Sequence, residues 1–308
     1  MQFLPPEAFG SSLNLAEDDA GIELASASAW DVATRYHEFK GRPGLQKQVA
    51  KLRRISADAI LERARAVLGS VVRPVELRTA PWADVPGEAE GMDLELEETI
   101  ENSVLALSPE APFAPTDQDI WMSYSVPRRQ SIILTVDTSL SMTGEKLALT
   151  AVALGVVLLQ FPDDPIGIIA FENEAKILKR PDERISLGQL IERFLDVPAQ
   201  GYTHLEDGMR SALRLSRAAE VSLHGKPPST VLLTDGKYTA GRDPAYLAPR
   251  FPHLVVLKMG RERASLELCR ELARKGRGAL REVGDLEALP AVMYGVVKDL
   301  LRGRSLAS

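Results

Sequence analysis

The sequence predicts an α/β fold: a doubly wound, mostly parallel sheet preceded by a mainly helical N-terminal region. Three observations carry this. From residue 129 onward, short runs rich in β-branched residues alternate with apolar-faced segments, as in a series of βαβ units. Several of the short runs are apolar at all but one position, as strands covered on both faces nearly are. Apolar residues make up 45% of the 308, which supports a sizeable core and argues against wholesale disorder.

The elements follow in order. Ala20–Phe39 reads as one helix, interrupted by GRPG at 41–44. Leu45–Leu68 reads as a second, with Leu52, Ile55, Ile60, Ala64 and Val67 on one stripe and Gly69 as its stop. MDLELEETIENSV, 92–104, alternates early and takes helical spacing late, and APFAPTDQD, 111–119, reads as loop. Downstream, strands are expected at Ile132–Val136, Ile166–Phe171, Thr230–Leu233, Leu254–Lys258 and Leu280–Val283, with Ala175–Leu178 as a short hairpin partner. Helices are expected at Lys146–Gln160, from the capping box Ser186–Gln189 through Leu195, and at Thr203–Ala218, Ala264–Lys275 and Pro290–Leu301. The chain thus divides into 1–128, helical with an acidic connecting segment, and 129–308, the sheet domain.

Charge narrows the function classes. The formal charge of −6 gives no general attraction to nucleic acid. Locally, Lys40–Arg78 is rich in Lys and Arg. Thr79–Pro127 has neither, yet carries eleven acids between Asp84 and Asp119. That acidic segment offers a docking surface for a basic one, or a partner for the basic helix 45–68. The single cysteine, Cys269, allows no internal disulfide and reads as a core thiol. MQFLPPEAFGSS has neither a basic start nor an apolar centre, so no secretory leader is expected. The longest largely apolar stretch, Leu147–Leu159, is too short to span a bilayer. A cytoplasmic location is the expectation.

Ligand sites in open parallel sheets lie beyond the carboxyl ends of strands. Three polar features fall there: Asp137-Thr-Ser139-Leu-Ser141 after the first strand of the sheet domain, Thr203 in GYTHLEDG, and Asp235 in VLLTDGK. Two carboxylates and three hydroxyls are hard oxygen donors, suited to Mg²⁺ or, as a second choice, Mn²⁺. Zinc is disfavoured, because His37, His204, His224 and His253 stand at no ligand spacing. Each feature also has a plain reading. Ser139 and Ser141 could cap the next helix, Thr203–Glu206 has capping-box spacing, and Asp235–Gly236 could be a simple turn.

In combination, Asp137, Ser139, Ser141, Thr203 and Asp235 resemble the metal-ion-dependent adhesion site of von Willebrand factor A domains, over roughly residues 129–302. The resemblance implies a doubly wound α/β sheet. It also implies that the serines and threonine contact the ion directly, while the aspartates act through water and hydrogen bonds. Many members have Gly between the serines; here it is Leu140. The N-terminal helical segment, DLELEETIENSV and VPRRQSIILTVDTSLSM further resemble CoxE-like and ViaA-like proteins. That likeness implies an adaptor working with a MoxR-family AAA+ ATPase, in protein remodelling or metalloenzyme maturation. A client or the ATPase would supply an acidic side chain to the metal, and the chain itself would not be an enzyme.

Two other readings stay open. One is a metal-dependent hydrolase or phosphatase with Asp137 as nucleophile, although Ser139 stands where the usual second acid belongs. The other is a structural scaffold with no functional metal. No glycine-rich phosphate loop with Lys and no G-x-S-x-G elbow is present.

Overall fold

The structure, a computed structural model, describes residues 27–71, 78–87, 89–105, 116–125, 131–199, 201–223, 227–260, 262–263 and 265–302. The chain divides into two compact units, Met1–Val71 with Gln130–Ser308, and Val72–Arg129. The expected boundary at 128/129 therefore marks only the end of the small unit. The helices before residue 72 belong with the sheet.

That grouping follows from packing. The large unit opens with α1 (Ala29–Thr34) and α2 (Tyr36–Gly41), then a 3₁₀ segment, Pro43–Gln48, and α3 (Val49–Val71). A capping box at Ser28 and Asp31 starts α1. The single helix expected over 20–39 is broken at Arg35, and its first residues lie outside the described ones. Helix α3 begins four residues later than expected, because Pro43 favours a tight first turn. It also runs past Gly69, where an added Cβ would point into open space. Its Leu52, Ile60 and Ala64 are buried in the same core as α5 (Glu145–Gln160). A Cβ on Gly155 of α5 would sit 3.1 Å from that of Ala64, so two small residues set how closely these helices approach. Basic residues of the N-terminal helices are also engaged. Arg53 pairs with Asp196 at 2.9 Å, Arg63 with Glu287 at 2.6 Å, and Lys40 donates to the carbonyls of Leu195 and Asp196.

The sheet of this unit comprises β4 (Ile132–Asp137), β5 (Ile166–Phe171), β6 (Ala175–Lys179), β7 (Ser229–Thr234), β8 (His253–Met259) and β9 (Leu280–Val283), in the order β6-β5-β4-β7-β8-β9. All pairs are parallel except β5 with β6. Every residue of β4, β5 and β7 is buried, which explains why their sequences are mostly apolar. Helices cover both faces. On one side α1–α3, α5, α6 (Leu187–Leu195) and α9 (Leu289–Leu301) share a core with Leu134, Val136 and Leu233. On the other, α7 (Leu205–Leu223) and α8 (Leu266–Lys275) pack with Ile133, Phe171 and Leu232. Each such aliphatic side chain contributes about 1.5–3 kcal/mol on burial. The predicted capping box at Ser186 and Gln189 is formed with both reciprocal bonds.

Helix α7 lies close on β5. A Cβ on Gly208 would fall 2.6 Å from the Phe171 ring, so only glycine fits there without a shift. Gly208→Ala is expected to destabilise the protein by about 1–3 kcal/mol through overpacking, read as a lower urea midpoint with unchanged slope. An unchanged midpoint would show that the contact yields freely.

The small unit contains a sheet that the sequence pattern does not announce. Its strands are β1 (Arg78–Pro81), β2 (Glu90–Leu94) and β3 (Trp121–Ser125) in antiparallel order β1-β3-β2, with α4 (Leu96–Leu105). The early alternation and late helical spacing of 92–104 are thus β2 and α4 in succession. Thr99 joins them to β3, donating to the Glu95 carbonyl at 2.6 Å and accepting from the Trp121 N–H at 2.9 Å. Most of the 111–119 loop lies outside the described residues.

Candidate metal centre

The connections from β4 and β7 leave the sheet in opposite directions, because β5 lies on one side of this central pair and β8 on the other. Ligand sites in such sheets form in the crevice at this switch point. Val136 pairs with Leu233, so Asp137 and Thr234 emerge side by side.

Asp137 is fully buried. Its Oδ1 accepts the Ser139 N–H at 3.0 Å and its Oδ2 the Thr234 hydroxyl at 2.8 Å. Burial pushes its carboxyl up to about 6. The bonds from Ser139 and Thr234 oppose that rise, and the nearby Asp235 charge adds to it. Thr234 in turn accepts the Gly236 N–H at 3.0 Å, so one hydroxyl locks β4 to the turn that carries Asp235. Gly236 has φ +79°, and a Cβ there would meet the Cys269 sulfur at 2.6 Å. The turn therefore requires glycine both for its backbone and for its packing. Burial pushes the Cys269 thiol up to about 12, as befits a core residue.

Neither serine caps a helix. Residues Leu140–Met142 form a 3₁₀ turn without a side-chain cap, and α5 has Gly144 at its N-cap, which offers no side-chain bond. The two hydroxyl oxygens instead lie 3.2 Å apart. Adjacent ligands of an octahedral Mg²⁺ ion, with Mg–O of about 2.0–2.1 Å, sit about 2.9 Å apart. Leu140 keeps a negative φ, and its side chain is 63% exposed. It therefore lies on the rim and leaves the ligand set undisturbed.

Backbone bonds bring the Thr203 loop to the other two. The Leu140 N–H reaches the Gly201 carbonyl at 3.3 Å, and the Thr203 carbonyl accepts from Thr239 at 3.1 Å and Ala240 at 3.3 Å. The Thr239 hydroxyl accepts the Thr203 N–H at 3.0 Å. From β5, the Glu172 carboxylate accepts the Gly201 N–H at 2.8 Å. The expected Thr203–Glu206 capping box does not form. His204 supplies the first helical carbonyl of α7, and Glu206 is engaged by Arg242, Arg210 and Tyr246. Thr203 is buried, and its hydroxyl has no hydrogen-bond partner among the described residues. Asp235 makes the turn bond that the plain reading expects, from Lys237 N–H to Oδ1 at 3.1 Å. Its Oδ2 has no partner among the described residues.

The donor set fits a hard divalent cation. Two buried carboxylates side by side are relieved by positive charge between them, and the hydroxyls of Ser139, Ser141 and Thr203 supply neutral oxygens. No group of three or more His, Cys, Asp and Glu suited to a metal occurs among the described residues, so a metal at this edge depends on the hydroxyls. His204 directs its ring to the Asn173 carbonyl at 3.0 Å, His37 lies in α2 and His253 starts β8. His224 lies outside the described residues. Sequence reading alone misses Thr234, Thr239 and Glu172. Thr234 and Glu172 stand at or directly after the carboxyl ends of β7 and β5, the position that marks Asp137 and Asp235.

A parallel sheet with a hydroxyl and carboxylate cradle at its switch point defines a class of ligand-binding α/β domains. Residues 132–237 match the family model of the von Willebrand factor type A domain. Similar solved structures include the conserved hypothetical protein BatB from Bacteroides thetaiotaomicron, at 18% identity, covering 55% of this chain and 98% of that one, TM-score 0.41. A von Willebrand factor type A protein from Catenulispora acidiphila has 15% identity, coverage of 58% and 44%, and TM-score 0.46. Proximal thread matrix protein 1 from the mussel byssus, with a zinc-occupied MIDAS motif, has 17% identity, coverage of 56% and 48%, and TM-score 0.44. The chain thus spans about half the length of the last two and nearly all of the first. Comparison with curated proteins gives no match.

Proposed function

We propose that this protein is a metal-dependent protein-binding module, with Asp137, Ser139, Ser141, Thr203 and Asp235 holding Mg²⁺ at the sheet edge. The observation that carries the reading is the rim. Each of the three loops bearing these residues also exposes a large side chain within three positions of one of them: Leu140 at 63%, Tyr202 at 69% and Tyr238 at 40%. Exposed apolar and aromatic groups around a polar centre suit a partner surface. The ion would supply a positive charge for a partner's carboxylate. The chain's own residues fix its place and frame it with apolar contacts.

A hydrolytic role for Asp137 has less support. Both its oxygens are committed to neighbours and its carboxylate is buried, which leaves no path for attack on a substrate. No helix of the described residues is long and apolar enough to cross a membrane. The finer reading, an adaptor for a MoxR-family AAA+ ATPase in a cytoplasmic remodelling or maturation process, rests on sequence resemblance alone.

Calorimetric titration with Mg²⁺ tests the site. The double change Ser139→Ala/Ser141→Ala is expected to weaken Mg²⁺ binding at least tenfold, on the order of 1.4 kcal/mol or more, with the far-ultraviolet spectrum unchanged. Equal binding by wild type and variant would remove these residues from the ligand set. Parallel titrations with Mn²⁺ and Zn²⁺ rank the metals, with Zn²⁺ expected to gain least from the hydroxyls.

A further inference from the structure

The loop that carries Thr203 is held from outside at each backbone step. Four successive N–H groups, those of Gly201, Tyr202, Thr203 and His204, each donate to an acceptor on another segment. Three of these acceptors belong to Glu172 and Asn173, in the turn between β5 and β6. The Glu172 carboxylate takes the Gly201 N–H at 2.8 Å, and its carbonyl takes the His204 N–H at 2.7 Å. The Asn173 side-chain oxygen takes the Tyr202 N–H at 2.8 Å. The turn and the loop are tied in the other direction too, because Asp207 in the first turn of α7 accepts the Ala175 N–H at 2.8 Å. This approach depends on Gly201, where a Cβ would run into the Asn173 side-chain amide.

Glu172 alone therefore grips the loop on both sides of Thr203. Thr203 itself gives its N–H to the Thr239 hydroxyl, and its carbonyl accepts from Thr239 and Ala240. Its backbone is thus committed, and its buried hydroxyl is the polar group left without a partner among the described residues. A loop that must be ordered when a ligand arrives subtracts that cost from affinity, and a loop already fixed does not. Groups that orient a metal's ligands from behind govern affinity in the same way.

We propose that Glu172 and Asn173 are positioning residues of the metal centre, which hold the Thr203 loop in its ligating form before an ion arrives. This rests on the metal-dependent reading and deepens it. Both residues act through the backbone of the loop, so their acceptor oxygens matter and the charge of Glu172 does not. The turn between β5 and β6 then sets the metal affinity of a site whose ligands all lie on other segments.

The test uses the full chain in three measurements: calorimetric titration with Mg²⁺, and, in EDTA, urea unfolding and deuterium uptake of the segment 201–204. Asn173→Ala and Glu172→Ala are each expected to weaken Mg²⁺ binding about tenfold and to speed uptake in the metal-free protein. Glu172→Gln keeps an acceptor oxygen without the charge and is expected to stay within about twofold of wild type. Ile60→Val, in the core on the other face of the sheet, separates stability from positioning. It is expected to lower the urea midpoint and leave Mg²⁺ affinity unchanged. Wild-type affinity in both alanine variants overturns the proposal, while weaker binding by Ser139→Ala/Ser141→Ala in the same series still upholds the metal reading. Glu172→Gln as weak as Glu172→Ala assigns the effect to charge and overturns positioning. Absence of Mg²⁺ binding by the wild type sinks the metal reading; faster uptake in the alanine variants then still upholds the hold on the loop, and unchanged uptake overturns that as well.

Discussion

Asp137→Asn is expected to make the metal-free protein more stable at neutral pH, by about 1–3 kcal/mol, while removing its stabilisation by Mg²⁺. The sign follows from burial. The Asp137 carboxyl stands at about 6 in the fold, against an ordinary value of 3.8. Between those pH values the native state keeps a proton that the unfolded chain has released. Stability therefore falls as pH rises from about 4 to about 6, and the loss persists above that range. A rise of this size corresponds to about 3 kcal/mol. Asparagine carries no charge to desolvate, and its carbonyl oxygen still accepts one of the two bonds that Asp137 now receives. Its amide meets the Thr234 hydroxyl as a donor, which returns about 1 kcal/mol. Urea unfolding in EDTA should show the variant ahead of wild type at pH 7, with the gap closing toward pH 4. Saturating Mg²⁺ should raise the wild-type midpoint by ligand linkage and leave the variant where it was. A variant less stable than wild type at pH 7 in EDTA would mean that Asp137 is better solvated than its burial implies.

The same buried acid shows what is readable from sequence. Runs such as Ile132–Val136 and Ile166–Phe171 carry their own evidence, because a strand covered on both faces is near-continuously apolar. The carboxyl-end rule then points to Asp137 and Asp235. The failures have a different cause. WMSYS, which forms β3, is too short and too mixed to stand out by periodicity, and its partner strand β1 is only Arg78–Pro81. The grouping of α3 with the sheet depends on where its stripe lands, and a stripe does not name its partner. At the site, Thr203–Glu206 has the spacing of a capping box, but tertiary partners take the glutamate. Thr234 has no mark of its own at the end of an apolar run, although its hydroxyl is the bond that ties Asp137 to the Asp235 turn. Side chains that act by bridging segments distant in sequence have no local pattern to betray them.

Glu206→Ala is expected to destabilise the protein by about 2–4 kcal/mol and to weaken Mg²⁺ binding although Glu206 lies outside the proposed ligand set. Its carboxylate accepts the Arg242 N–H at 2.9 Å, the Arg210 guanidinium at 2.7 Å and the Tyr246 hydroxyl. These bonds hold its carboxyl down at about 2, the Tyr246 hydroxyl most strongly. Through them the segment after Asp235 is fastened to the first turn of α7, just beyond Thr203. The same segment supplies Thr239 and Ala240, whose N–H groups hold the Thr203 carbonyl. Alanine leaves the Arg242 N–H and the tyrosine hydroxyl without their acceptor, and this accounts for most of the loss. Arg210 is largely exposed, so its charge adds little. Glu206→Gln should therefore lose less than alanine, since an amide oxygen still accepts from the backbone, and should retain most of the Mg²⁺ affinity. The pH sign is opposite to that of Asp137. A depressed carboxyl contributes stability above its unfolded value, near 4.5, and loses it as pH falls toward 2. Wild type should thus lose its advantage over Glu206→Gln in acid and regain it near neutrality. Should alanine and glutamine weaken Mg²⁺ binding equally, charge at Glu206 rather than the placement of Thr203 would govern the site.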